Sequence, residues 1–363
     1  MSEKVIEKLK ANHDILKSWM DHMHQHPEMS MKESETAKFI AEKLREMGGW
    51  EIVEGVGKYG IVASMTMGDG HKTIGLRADF DALPITEDNE LPYKSKIEGM
   101  SHLCGHDAHT TMLLGAAKYL AETRNFNGTV RLIFQPGEET MEGAPAMIAD
   151  GLFERFPVDS VFGMHNMPGL EAGKFYFNTG EFMAAVDNWE IELTGKGSHG
   201  SMPELSIDPI VCGSSLVLAL QTIVSRNLSP WHSSVVNVGA FQSGIAGNAV
   251  PQKAILRLSI RNMKSEDRVM VLDKIRSITK SQAEAFNCGY EIREGMPGTV
   301  LVNDIDETHW AADVARKTFG EENVFTDAHP YMGSEDFAFM LEKKKGNYCM
   351  MGNGDSFMVH HPQ

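Results

Sequence analysis

Between Ser101 and Thr110 the chain reads SHLCGHDAHT, which crowds His102, Cys104, His106, Asp107 and His109 into one short stretch. A thiolate and an imidazole two residues apart, Cys104 and His106, are strong ligands for zinc and softer divalent metals. That pair alone is weak evidence. A polar loop capping a helix that starts near Thr110, with Asp107 or Thr110 as the cap, would look the same. Three further stretches change the balance. FQPGEE sets Glu138 and Glu139 directly after a buried strand ending at Gln135, the kind of strand end where α/β proteins build their sites. Adjacent side chains diverge, so one carboxylate can ligate while the other acts as a general base toward water. VFGMHN ends another strand with His165, and MVHHPQ supplies His360 and His361. Together these side chains offer enough ligands for two metals, and the chemistry they point to is metal-assisted hydrolysis. A zinc ribbon would need paired Cys-x-x-Cys, which the chain lacks.

Such residues need a scaffold. SETAKFIAEKLREMGG places Ala37, Ile40, Leu44 and Met47 at helical spacing and stops on two glycines. WEIVEG and GIVASMTMGDG read as strands, with Asp69-Gly70 as a hairpin turn. TIGLRADFDALP alternates Ile74, Leu76, Ala78 and Phe80 with Arg77, Asp79 and Asp81. A helix (TTMLLGAAKYLAE) and two strands (TVRLIFQP, VDSVFGMHN) follow. This alternation predicts an α/β domain with a mostly parallel sheet flanked by helices. From about residue 184 to 295 the order becomes strand, helix, strand, strand, helix, strand, the βαββαβ order of a ferredoxin-like α+β unit. The expected organisation is therefore one domain of residues 1–183 and 296–363 interrupted by an inserted domain of residues 184–295.

The chain has 363 residues, ample for two cores, and a net charge of −16. That charge argues against nucleic acid or an anionic membrane as a partner. No apolar run reads as a membrane span, and the charged start MSEKVIEKLK lacks the apolar centre of a secretory leader, so a cytoplasmic protein is expected. Four scattered cysteines do not make a disulfide framework.

LRADFDALP, SHLCGHDAHTT, FQPGEE, GMHN, KGSHGSMP, MGSEDF and HHP, with HQHPEMSMKESET ahead of them, occur in one order along nearly the whole chain. In this the sequence resembles the co-catalytic metallo-amidohydrolases related to aminoacylase and carboxypeptidase G, in the subgroup of hippurate, N-acyl-amino-acid and auxin-conjugate hydrolases. The resemblance implies two divalent ions, manganese or zinc, with cobalt or nickel as alternatives. It implies that Cys104 bridges them, that His106 and His165 complete one site, and that Glu139 and His360 complete the other. His361 would be filler. Glu138 matches the general base, and His199 a histidine that polarises the scissile carbonyl, often from a dimer partner. Asn248 matches a substrate-contacting asparagine, and Asp81 a carboxylate that orients a ligand. The implied substrate is an N-acyl amino acid, cleaved to a carboxylic acid and a free amino acid. An N-acetyl-diaminopimelate deacetylase or a dipeptidase belongs to the same class, and a homodimer through the inserted lid domain is implied. A binding protein that has lost catalysis is the rival from another class, but it would have no use for Glu138 beside Glu139. Relatives usually continue past the last histidine into a helix, so an end at Gln363 would leave His360 on a frayed tail.

Several features carry less. GVGKYG fits a dinucleotide fingerprint but runs into a strand rather than a helix. His22, His24 and His26 are expected in helix-end and turn chemistry, and His102 and His109 around the ligands or on a helix surface. Glu335 and Asp336 suit either a substrate pocket or loop support. Arg226, Arg257 and Arg261 could pair with a carboxylate and are assigned no role.

Overall fold

The computed structural model describes residues 2–355 and 357–363. The chain forms two compact units, one of residues 1–180, 302–329 and 336–363, the other of residues 181–301 and 330–335. The divisions fall a few residues from the expected 184 and 295, and the second unit also takes back a short segment near residue 330.

The first unit is built on an eight-stranded sheet in the order Glu51–Val56, Gly60–Met67, Gly128–Gln135, Thr73–Asp79, Ser160–Met167, Lys345–Gly352, Phe175–Tyr176, Val324–Phe325. Its four central strands run parallel; two antiparallel pairings extend it on the Glu51–Val56 side, and on the other Phe175–Tyr176 joins antiparallel and Val324–Phe325 pairs parallel with it. Helices cover it because each carries an apolar face. Ser34–Met47 buries Ile40, Ala41 and Leu44 and ends where Gly48 and Gly49 take positive φ. These side chains pack with Trp19, Leu114, Leu132 and Phe134 in one core. The expected hairpin at Asp69-Gly70 does not exist. Gly128–Gln135 lies between the two strands, antiparallel to Gly60–Met67 and parallel to Thr73–Asp79. A local turn signal cannot reveal a strand that arrives later in the chain.

The polar face of Thr73–Asp79 is dry. Arg77, Asp79 and Asp81 are all buried. Arg77 donates from Nε to Gln135 Oε1 (2.8 Å), from Nη1 to Asp79 Oδ2 (2.7 Å) and from Nη2 to Asp336 Oδ1 (3.0 Å). Asp336 also accepts from Gln135 Nε2 and from the Ala144 N–H, so it supports this loop junction.

The second unit has the βαββαβ order, with a four-stranded antiparallel sheet ordered Ser234–Ser243, Lys253–Asn262, Ala185–Thr194, Gly289–Glu294. Two helices pack on it, Pro209–Asn227 and Ser265–Ala285. The first starts with Asp208 accepting the Ile210 and Val211 N–H groups and with Pro209 in its first turn. By length and apolarity alone this 19-residue helix could cross a membrane, contrary to the expectation that no run would. Cys212, Leu216, Leu220 and Ile223 are instead buried in the unit's core against Ile191, Leu193 and Leu256. All four cysteines are buried free thiols.

Candidate metal centre

The central parallel strands deliver the candidate ligands at their carboxyl ends. Gly128–Gln135 runs into Glu138 and Glu139, Thr73–Asp79 into Asp81, and Ser160–Met167 carries His165 near its end. Cys104 and His106 flank Gly105, whose φ of 95° is left-handed. A Cβ there would sit 2.2 Å from Asn166 Oδ1, so only glycine lets this loop lie so close to the His165 strand. The helix begins at His106, earlier than expected, and runs to Thr123. Neither Asp107 nor Thr110 caps it. Thr110 Oγ1 donates to the Asp79 carbonyl, and Asp107 is bound by His24.

Two ligand groups form around one sulfur. Donor atoms of Cys104, His106 and His165 lie within 4.8 Å of one another, as do those of Cys104, Glu139 and His360. Cys104 Sγ is 3.4 Å from His165 Nε2, and His360 Nε2 is 3.4 Å from Glu139 Oε1. The protonation pattern suits ligation. His106 Nδ1 is 3.0 Å from Asp81 Oδ1, which fixes the ring hydrogen there and turns the Nε2 lone pair inward. His165 Nδ1 donates to the Asn166 carbonyl and likewise leaves Nε2 for the cluster. His106 Nε2 and Glu139 Oε1 are buried without a hydrogen-bond partner, a costly state that a cation would relieve. A thiolate, imidazoles and a carboxylate fit zinc, manganese, cobalt or nickel, so the residues present suit the implied metals.

Electrostatics leave His165 ready to ligate and set a proton to be displaced at Cys104 and His106. Burial pushes the Cys104 thiol up to about 12, so an incoming ion displaces a proton to gain the thiolate. Burial also drives His165 well below the usual imidazole range and keeps it neutral. Burial works against charge on His106, but Asp79 and Cys104 outweigh it and raise this imidazole well above its usual range, so an ion binding at Nε2 must displace a proton there too. Asp79 is held well below the carboxylate range, burial notwithstanding, by His106 and Arg77.

His360 lies on a backbone of φ 66°. Its N–H donates to the Leu103 carbonyl (2.7 Å) and the Asp88 N–H to Pro362 O (2.6 Å), so the terminal segment is tied down rather than frayed. His361 stacks on Phe357 with ring centroids 4.2 Å apart. Glu138 is buried, its Oε2 3.8 Å from His106 Nε2.

His199 and Asn248 belong to the second unit. The short strands Ser198–His199 and Ala249–Val250 pair there, with Ala249 opposite His199, and the Gly200 N–H reaches the Asn248 carbonyl at 2.7 Å. The Ser201 N–H and hydroxyl both reach His199 Nδ1 (3.2 and 2.7 Å), so the hydrogen sits on Nε2 and this exposed ring offers a donor. Arg257 pairs with Glu190, and Arg261 donates to the Met332 carbonyl.

Sequence reasoning missed the roles of His24 and Glu33 around the site and left His109 between a place around the ligands and a helix surface. His24 is buried between Asp107 (2.8 Å) and Glu87 (3.0 Å). Burial opposes its charge, yet these carboxylates raise it to about 9. His109 donates from Nδ1 to Asp79 (2.6 Å), and its Nε2 lies against Asn166, 2.6 Å from the side-chain Oδ1 and 3.1 Å from the backbone nitrogen, so of the two expected places it takes the one around the ligands. Burial pushes the Glu33 carboxyl up to about 7. Glu33 lies in HPEMSMKESET, a stretch that belongs to the family pattern but whose local sequence does not show what this carboxyl reaches.

Comparison with known proteins agrees with this geometry. Hippurate hydrolase of Campylobacter jejuni is 46% identical over 339 residues, covering 93% of this chain and 88% of that protein. N-acetyl-L-cysteine deacetylase of Bacillus subtilis is 38% identical over 342 residues, with 94% and 81% covered. The crystal structure of Bacillus subtilis YxeP, a dinuclear metal binding peptidase, superposes with a TM-score of 0.82 at 33% identity, covering 97% of this chain and 92% of that one. Residues 75–363 match the profile of Peptidase family M20/M25/M40, and the chain, with this sheet and these strand-end clusters, belongs to that family.

Proposed function

We propose that this family member hydrolyses the amide bond of N-acyl amino acids, with manganese or zinc in the paired clusters. The observation that carries the reading is the pairing of Glu139, placed among the ligand atoms, with Glu138, buried beside them. Hippurate hydrolase and N-acetyl-L-cysteine deacetylase as relatives support the substrate class.

Cys104, His106 and His165 would hold one ion, and Cys104, Glu139 and His360 the other. When bound, the ions supply Lewis acidity that lowers the pKa of water and offsets the charge developing on the carbonyl oxygen. Glu138 takes the proton of the attacking water and passes it to the leaving nitrogen. Asp81 holds the His106 ring and accepts the Glu139 N–H, keeping two ligands in register. The Nε2–H of His199 is the donor offered to the scissile carbonyl, and Asn248 is the substrate contact beside it. A homodimer through the second unit is supported by Val211 and Leu218, seven residues apart on the solvent face of their helix, and by exposed Trp231.

The test is release of free amino acid from hippurate, N-acetylcysteine, N-acetyl-diaminopimelate and a dipeptide, with manganese or zinc added. Glu138→Ala should keep its metal and lose about 10²–10⁴-fold in kcat. Wild-type rates in that variant would sink the mechanism. Leu218→Glu should convert a dimer to a monomer by light scattering, and a wild-type monomer would refute the assembly.

A further inference from the structure

The segment after the helix His13–Gln25, HPEMSMKESET, supplies no candidate metal ligand, yet it touches the site at two points. Met29 bridges to Ala82, and the Ala82 N–H donates to the Glu28 carbonyl (2.9 Å). Ser30 Oγ then donates to Asp81 Oδ2 (2.6 Å), the oxygen that also accepts the Glu139 N–H (3.0 Å). Three residues on, Glu33 Oε1 accepts two backbone N–H groups, those of Met31 and Gly137, each at 2.8 Å. Both donors are left-handed, with φ of 60° at Met31 and 61° at Gly137. They are packed together so closely that a Cβ on Gly137 would lie 2.6 Å from Met31 Sδ.

Glu33 is fully buried, and its other oxygen has no hydrogen-bond partner. A half-satisfied buried carboxylate costs folding free energy. One oxygen spanning two left-handed N–H groups gains something else, a fixed conformation for the turn that leads into Glu138 and Glu139, whose carboxylates lie 3.8 and 3.9 Å from His106 Nε2. We propose that Glu33 is a positioning residue for that turn, with Ser30 as a second brace acting through Asp81. The proposal rests on the amide-hydrolysis reading and deepens it.

The experiment uses the full chain, titrated with cobalt(II) and followed by its visible absorption, beside kcat and KM on the best amide. Glu33→Ala should bind the second cobalt at least about tenfold more weakly and lose at least about tenfold in kcat, as supporting hydrogen bonds around metal ligands do. Glu33→Gln, whose amide oxygen can still take both N–H groups, should recover most of each. Ser30→Ala should show a smaller loss of the same kind. Cobalt binding and kcat at wild-type levels in folded Glu33→Ala would overturn the proposal, as would equal damage in Glu33→Gln. If Glu33→Ala does not fold, Ser30→Ala decides, and no change there overturns it. A wild type that cleaves no amide would refute the functional reading alone, because the cobalt arm needs no substrate.

Discussion

Thr73–Asp79 in the first unit and Lys253–Asn262 in the second share an alternating pattern and use it in different ways. In the second unit Ala254, Leu256, Leu258 and Ile260 are buried, while Lys253 and Arg257 stay at the surface and pair across the sheet with Glu192 and Glu190. In the first unit the charged face is as dry as the apolar one, where Ala78 and Phe80 are buried in the core. Arg77 and Asp79 are buried, whereas Ile74 and Leu76 are only partly covered and line an apolar cavity of about 340 Å³ with Phe162 and Trp310. Alternation therefore reports that a strand has two faces, not whether either is wet. Surface pairs like Arg257–Glu190 contribute little net stability. A buried set such as Arg77, Asp79 and Asp336 is retained at a desolvation cost, and here its members abut the metal centre.

The sharpest way to break this contrast is Arg77→Met. It strands two buried carboxylates and should cost about 3–5 kcal/mol in urea unfolding. A loss no larger than that of a surface pair would refute the contrast. A pH series sharpens it next. The His24 imidazolium is stabilised in the fold, its pKa rising from 6.5 to about 9. Its contribution is therefore fully present below pH 6.5 and lost as pH climbs through about 9. The size is of order 3 kcal/mol, and His24→Gln should flatten that slope. The smallest effect belongs to the second unit. Arg257→Ala should change unfolding free energy by less than about 1 kcal/mol, and raised salt should shrink even that.

Much of the site was legible because metal ligands are few in kind and sit in short motifs. Cys104, His106, Glu139, His165 and His360 were found by side-chain chemistry, strand-end position and family pattern, and the fold gathers their donor atoms. Parallel strands also announced themselves through helix–strand alternation. What stayed hidden depends on partners distant in sequence. Nothing local to His24 says that it meets Asp107 and Glu87, and nothing in SMKES says that Glu33 reaches Gly137. The absent hairpin at Asp69-Gly70 has the same cause, because Gly128–Gln135 claims the intervening place in the sheet. Glycine offered one readable clue: Gly105, held left-handed between two ligands, marks a loop under tight geometric demand.

The strand Lys345–Gly352 has a kinetic consequence. It lies inside the first unit's sheet, beside Ser160–Met167, although the whole second unit is encoded between them. The βαββαβ sheet is contiguous in the chain and can close its contacts as it leaves the ribosome. The first unit must wait with the edge of Ser160–Met167 unpaired until the last part of the chain arrives. Long-range parallel pairing of this sort is slow, and an open edge invites pairing with other chains. The unit that carries the metal cluster is thus the later to fold, and it is the one most exposed to aggregation during synthesis.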